Sequence, residues 1–213
     1  MSLFSEKEEK RGVVTVMFDD RNRLKIRKKD FETFPLEKDE EVDIEEYENR
    51  ICAFQASEAY EAALSLLDYS ARTESEIRNK LLMKGYLPPV IESVIERLKD
   101  ARLVDDRQLA ERIAENASSR GIGSYALKRK LKVRGISEDD VEYASSLMDE
   151  ESEKEGARRE AVRLFRKYAH LPSREAKNKL SQALSRRGYS WDAVSDAVDS
   201  VLTDDFSDDE YYE

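Results

Sequence analysis

Little in this 213-residue chain could staple it together. It has one cysteine, Cys52, and one histidine, His170. A single cysteine excludes an intramolecular disulfide, so a reducing, cytoplasmic setting is the default expectation. Seven glycines and four prolines leave room for few irregular loops. Nowhere do 18 apolar residues run together, which argues against a membrane span. The opening MSLFSEKEEKRG lacks the apolar run of a signal peptide. Hydrophobic residues make up 39% of the chain and charged residues also 39%. The core must therefore be thin and elongated, or split into small units. The lone His and lone Cys lie far apart in sequence, and no G-x-S-x-G, H-E-x-x-H, Walker or dinucleotide fingerprint occurs. That argues against an enzyme. Acid pairs such as Asp105/Asp106 and Asp139/Asp140 sit at expected helix starts, where capping explains them.

What the chain does have is a repeated phrase. Residues 77–85 read IRNKLLMKG, 127–135 read LKRKLKVRG and 180–188 read LSQALSRRG. Counted back from Gly85, Gly135 and Gly188, aliphatic residues stand at −8 and −4: Ile77/Leu81, Leu127/Leu131 and Leu180/Leu184. Lys or Arg stands at −1. Apolar positions recur downstream at helical spacing, as in Ile91, Val94, Ile95 and Leu98. An Ala/Leu-rich segment precedes each phrase, at 59–70, 107–119 and 157–169. Each unit therefore reads as three helices, the second ending at the glycine. TESE (73–76) is a capping box, Ser124 and Ser173 are candidate caps, and Pro88 suits a helix start.

The N-terminal part differs. GVVTVMF (12–18), turn residues DDRN (19–22) and RLKIRK (23–28) predict a β-hairpin, and FETFPL (31–36) a third strand or extended connector. A helix is expected from Ile44 to about Asp68. The fold class is thus mainly α: three tandem three-helix repeats behind a β-hairpin extension. The expected divisions are 1–43, an extension with acidic linker; 44–106, an entry helix with repeat 1; 107–153, repeat 2; 154–203, repeat 3; and 204–213, an acidic tail.

Charge supplies the functional signal. The net charge is −10, yet residues 120–135 hold Arg120, Lys128, Arg129, Lys130, Lys132 and Arg134 with no acid. Residues 158–188 hold ten Lys/Arg against Glu160 and Glu175. Lys or Arg before a helix-ending glycine complements the helix dipole, which is a structural role. The wider cluster is not explained that way. With Leu127 and Leu131 facing the core, Lys128, Arg129 and Lys132 share an outer arc, as do Lys179 and Arg186 in the third repeat. No acid stands at i±4 to neutralise the first cluster, so it is expected to meet an anionic partner. The candidate binding residues are Arg120, Lys128, Arg129, Lys132, Arg134, Lys179, Arg186 and Arg187. Trp191 is expected to be a packing anchor, and Tyr86 and Tyr189 to staple their turns.

These same residues carry a family resemblance. The runs RTESEIRNKLLMKGYLPPVIESVIERLKDARLVDD (72–106), RGIGSYALKRKLKVRGIS (120–137) and SREAKNKLSQALSRRGYSWDAVSDAV (173–198) resemble the RecX family. Residues 1–55 lie outside the core family pattern. The resemblance implies a curved array of three three-helix repeats. It implies a monomeric regulator, without cofactor, that binds the RecA–DNA filament and modulates it, usually by blocking extension or promoting disassembly. Weak, sequence-independent DNA contact belongs to the same expectation. Two alternatives stay open on the residues alone: a DNA-binding helical protein acting directly on nucleic acid, and a helical adaptor with no nucleic-acid role.

Overall fold

The structure is a computed structural model. It describes residues 1–10, 12–19 and 22–207; for residue 118 and residues 203–207 it describes the backbone. Two compact units divide the chain, Met1–Asp105 and Asp106–Glu213.

The first unit opens with a four-stranded antiparallel sheet of order β3-β2-β1-β4. The strands are β1 (Ser2–Lys10), β2 (Val13–Phe18), β3 (Arg23–Arg27) and β4 (Glu41–Val42). The expected hairpin is present, with Val14 opposite Ile26 and Val16 opposite Leu24. Phe4, Val14, Val16, Phe18 and Ile26 form its buried face. Strand β1 gave no periodic signal, because most of its residues are charged. It becomes a strand by pairing with β2, from Phe4↔Phe18 to Lys10↔Val13. The stretch 31–36, expected as a third strand or an extended connector, forms no strand. Lys28–Thr33 forms a short helix, α1. Fully buried Asp30 sets this turn by accepting bonds from Arg27: its main-chain N–H at 3.2 Å, Nε at 2.8 Å and Nη2 at 2.7 Å.

Helix α2 (Ile44–Tyr69) begins where Asp43 accepts from the Glu46 N–H. Helix α3 (Glu74–Met83) carries the expected Thr73/Glu76 capping box. Helix α4 (Pro88–Asp100) buries Val90, Ile91, Val94, Ile95 and Leu98. Sheet and helices share one core.

The second unit holds two three-helix repeats: α5 (Asp106–Glu115), α6 (Ser124–Val133) and α7 (Glu138–Ser146), then α8 (Glu150–Phe165), α9 (Ser173–Arg186) and α10 (Trp191–Ser207). The acidic stretch 204–213 therefore begins as helix, and residues 208–213 lie outside the described residues. Each repeat has its own core, around Leu127/Leu131 and around Leu180/Leu184. Gly85, Gly135 and Gly188 all stand at left-handed φ, 82°, 78° and 80°. In each case the residue after the glycine donates its N–H back to the −4 leucine carbonyl, as Tyr86 does to Leu81. The repeated glycine is a helix stop, with Lys84, Arg134 and Arg187 as the C-cap residues.

Three local expectations change. Ser124 and Ser173 are the first helical residues rather than caps; Gly123 and Pro172 occupy the N-cap positions. Trp191 is 79% exposed, while Tyr86 and Tyr189 are buried. The tyrosines fill the turns after Gly85 and Gly188, as Ile136 does after Gly135, leaving Trp191 at the solvent end of α10.

Candidate binding surface

The geometry begins at the joint between repeats 2 and 3. The Gly123 N–H donates to the Arg187 carbonyl at 3.0 Å, and the Tyr125 N–H to the Gly188 carbonyl at 2.9 Å. The backbones are so close that a Cβ on Gly123 would lie 2.3 Å from the Tyr189 nitrogen. One on Gly188 would lie 2.2 Å from the Ala126 nitrogen. Glycine at 123 is thus dictated by approach, which is why a serine cap does not serve there.

Buried Glu153, on α8, completes the joint. Its Oε1 accepts from the N–H of Ser124 at 2.9 Å and of Ser190 at 3.2 Å, so one carboxylate caps α6 and lies at the entrance of α10. The first unit uses the same position. Gln55 precedes Ala59 by four residues, as Glu153 precedes Ala157. Gln55 Oε1 accepts from the Leu87 N–H at 2.8 Å, two residues past Gly85, and its Nε2 donates to Asp30 at 2.7 Å. In each case a buried polar side chain ties the post-glycine turn to the module packed against it.

The joint sets which cations meet. Helix α6 brings Arg129, Lys130 and Arg134 alongside Arg187 of α9. Together with Gly121, Ile122, Ala126 and Val133 they line an open cleft of roughly 460 Å³. No carboxylate is among the lining residues. Beneath it, buried Glu160 holds the Arg187 Nε at 2.6 Å and also pairs with Arg163 at 2.5 Å. Arg129 and Lys130 are exposed, with no carboxylate partner among the described residues.

The other expected residues are distributed differently. Lys128 and Lys132 do not belong to an unneutralised arc. Lys128 Nζ pairs with Glu142 at 2.8 Å and Lys132 Nζ with Glu138 at 2.7 Å. Both acids come from α7, and the i±4 test could not see them because the neutralising charge arrives from the next helix. The Lys128 ammonium holds the Glu142 carboxyl below the usual glutamate range. Arg120 ends a 3-10 turn (Ser118–Arg120) and is exposed, and it is not among the cleft residues. Lys179 and Arg186 project from α9, exposed and outside the cleft. Of the eight expected residues the cleft gathers Arg129, Arg134 and Arg187. It adds Lys130, which sits in the KRK run (128–130) of α6 and lines the same cleft as Arg187. Among the described residues no group of three His, Cys, Asp or Glu is placed to hold a metal ion, and no helix is long and apolar enough to cross a membrane.

The class follows from this architecture: a tandem three-helix-repeat protein behind a small β module. Known proteins narrow it further. Residues 59–98 match the pattern described as RecX, first three-helix domain, and residues 151–198 that of RecX, third three-helix domain. The regulatory protein RecX of Clostridium botulinum (strain Alaska E43 / Type E3) is 31% identical over 153 residues, 70% of either chain. That of Bacillus subtilis (strain 168) is 27% identical over 187 residues, 87% of this chain and 71% of the relative. The crystal structure of RecX from Lactobacillus salivarius superimposes with a TM-score of 0.64 at 29% identity, covering 71% of this chain and 98% of that one. The chain belongs to the RecX family of regulatory proteins.

Proposed function

We propose that this chain is a cytoplasmic, non-enzymatic regulator of a RecA-type recombinase. It acts as a monomer, without a cofactor, on the recombinase filament assembled on DNA, in the direction of inhibition. Family membership supports the regulatory role. The single observation that carries the mode of action is the cleft of Arg129, Lys130, Arg134 and Arg187, which has no lining carboxylate in a chain of net charge −10. A concave, cationic surface with an apolar floor suits phosphodiester and carboxylate groups presented together, as on a protein-coated DNA strand. Arg120, Lys179 and Arg186 extend the positive field beyond the cleft. Lys128 and Lys132 act at second hand, holding α6 against α7. Contacts of this kind are made to phosphates rather than base edges, so direct DNA affinity is weak, salt-sensitive and indifferent to sequence.

The test is RecA-driven ATP hydrolysis and strand exchange on single-stranded DNA, with and without the protein. Absence of both an effect and filament binding at equimolar protein overturns the proposal. The informative variant is Arg129→Glu with Lys130→Glu, because neither side chain holds a structural carboxylate. It stays folded and loses the regulatory effect. Full activity in this variant removes the cleft from the mechanism while leaving the family role intact.

A further inference from the structure

We infer that the outer edge of β3 accepts an extended, acidic segment of a protein partner as an added strand. Strand β3 ends the sheet. Its hydrogen-bonding phase follows from two bonds at its flanks: Phe18 N–H to the Asn22 carbonyl at 3.0 Å and Lys28 N–H to the Gly12 carbonyl at 2.8 Å. In an antiparallel ladder, bonded pairs alternate. With Leu24 opposite Val16 and Ile26 opposite Val14, the main-chain groups of Leu24 and Ile26 face β2. Those of Arg23, Lys25 and Arg27 face outward. The outward N–H of Arg27 is taken by Asp30. The outward groups of Arg23 and Lys25 have no partner among the described residues. They form a two-residue template for main-chain pairing.

Beside this edge runs an open groove of roughly 600 Å³, lined on its far side by Leu82, Tyr86, Leu87 and Pro88. Leu82 is 54% exposed there. A strand laid on β3 covers this apolar wall with alternate side chains. Charge selects the occupant. Arg23 and Lys25 line the groove, and Glu48 is the only carboxylate among its lining residues. A second copy of this chain pairing through the same edge sets Arg23 and Lys25 against their own duplicates, an arrangement that like charges disfavour. An acidic partner is favoured instead. The other open stretch of sheet edge, Glu6–Lys10 of β1 beyond the two residues paired with β4, mixes Glu with Lys and is exposed, the usual blunting of an edge. At about 3.3 Å per residue, Arg23–Arg27 accommodates a partner segment of about five residues.

The probe is a blocked heptapeptide alternating Glu with Val and Ile, added to the full chain labelled with nitrogen-15. The amides of Arg23 and Lys25, fast-exchanging alone, slow by about tenfold at millimolar peptide, and those of Leu24 and Ile26 stay slow throughout. The same peptide with Lys in place of Glu has no effect. Lys25→Pro removes an outward N–H without touching the ladder to β2, and abolishes binding while Leu24 and Ile26 stay protected. Leu82→Gln, uncharged and at an exposed position, weakens binding through the groove wall alone. Unchanged exchange at Arg23 and Lys25, or binding that survives both substitutions, overturns the inference. Protection of these amides that rises with protein concentration, without peptide, assigns the edge to a second copy and also overturns it.

Discussion

Substituting Gly123→Ala tests the joint that assembles the cleft. Helix chemistry alone makes this change mild: glycine and alanine at an N-cap differ by less than about 1 kcal/mol. The tertiary contact makes it severe. The new Cβ lies 2.3 Å from the Tyr189 nitrogen and 2.4 Å from the carbonyl carbon and oxygen of Gly188, all main-chain atoms that no rotamer can move aside. Ordinary contact begins near 3.4 Å, so α6 must retreat by about 1 Å. That stretches the Gly123–Arg187 and Tyr125–Gly188 bonds, now 3.0 and 2.9 Å, to about 4 Å, beyond hydrogen-bonding range. Two bonds at about 1 kcal/mol each, with a weakened Glu153 cap and overpacking strain of about 1–3 kcal/mol, put the cost near 3–5 kcal/mol. That is a large fraction of a domain's stability of about 5–15 kcal/mol. The assay is urea denaturation by circular dichroism with amide exchange at Tyr125 on the full chain. The midpoint of the second unit falls and the Tyr125 amide loses protection, while amides of the first unit keep theirs. If the variant unfolds within about 0.5 kcal/mol of the parent and Tyr125 stays protected, the close-approach argument is wrong.

Three further outcomes follow from the same geometry. Glu153→Leu leaves the Ser124 and Ser190 N–H groups without their acceptor and lowers stability by about 2–4 kcal/mol, whereas Glu153→Gln, which keeps an acceptor oxygen, costs much less; equal effects in urea melts contradict the shared-cap role. The folded-state pKa of Glu142 is depressed, so its pairing with Lys128 contributes above the ordinary glutamate value of about 4.3 and is lost as pH falls through the lower folded value. Lys128→Met returns the Glu142 carboxyl to its ordinary range in a carbon-13 titration, and an unchanged titration contradicts the pairing. Neutralising both Arg129 and Lys130 reduces the slope of log affinity against log salt on single-stranded DNA by about 1.4, that is about 0.7 for each lost phosphate contact; an unaltered slope places the phosphate contacts elsewhere.

The three-helix repeats were legible because their signals are local. The left-handed glycine, the aliphatics at −8 and −4, and the Thr73/Glu76 box act within about ten residues. So was the β2–β3 hairpin, whose two strands are neighbours in the chain. Strand β1 and helix α1 were not. The first is a strand through pairing with β2, although its own residues favour none. The second is held by Asp30, whose acceptors are filled by Arg27 and by Gln55, 25 residues away.

The binding surface divides along the same line. Sequence located the basic segments, since charge along a helix is additive and visible. It also placed Lys128, Arg129 and Lys132 on one outer arc, which rotation about a helix axis alone decides. Only the packing of α7 against α6, and the approach of the turn after α9 to the start of α6, separated them. Glu138 and Glu142 take Lys132 and Lys128 out of play as free charges. The glycine-to-glycine approach sets Arg187 beside Arg129, Lys130 and Arg134. Which cations stay available to a partner depends on the charges brought within a few ångströms by other helices, and Coulomb interactions take no account of sequence separation.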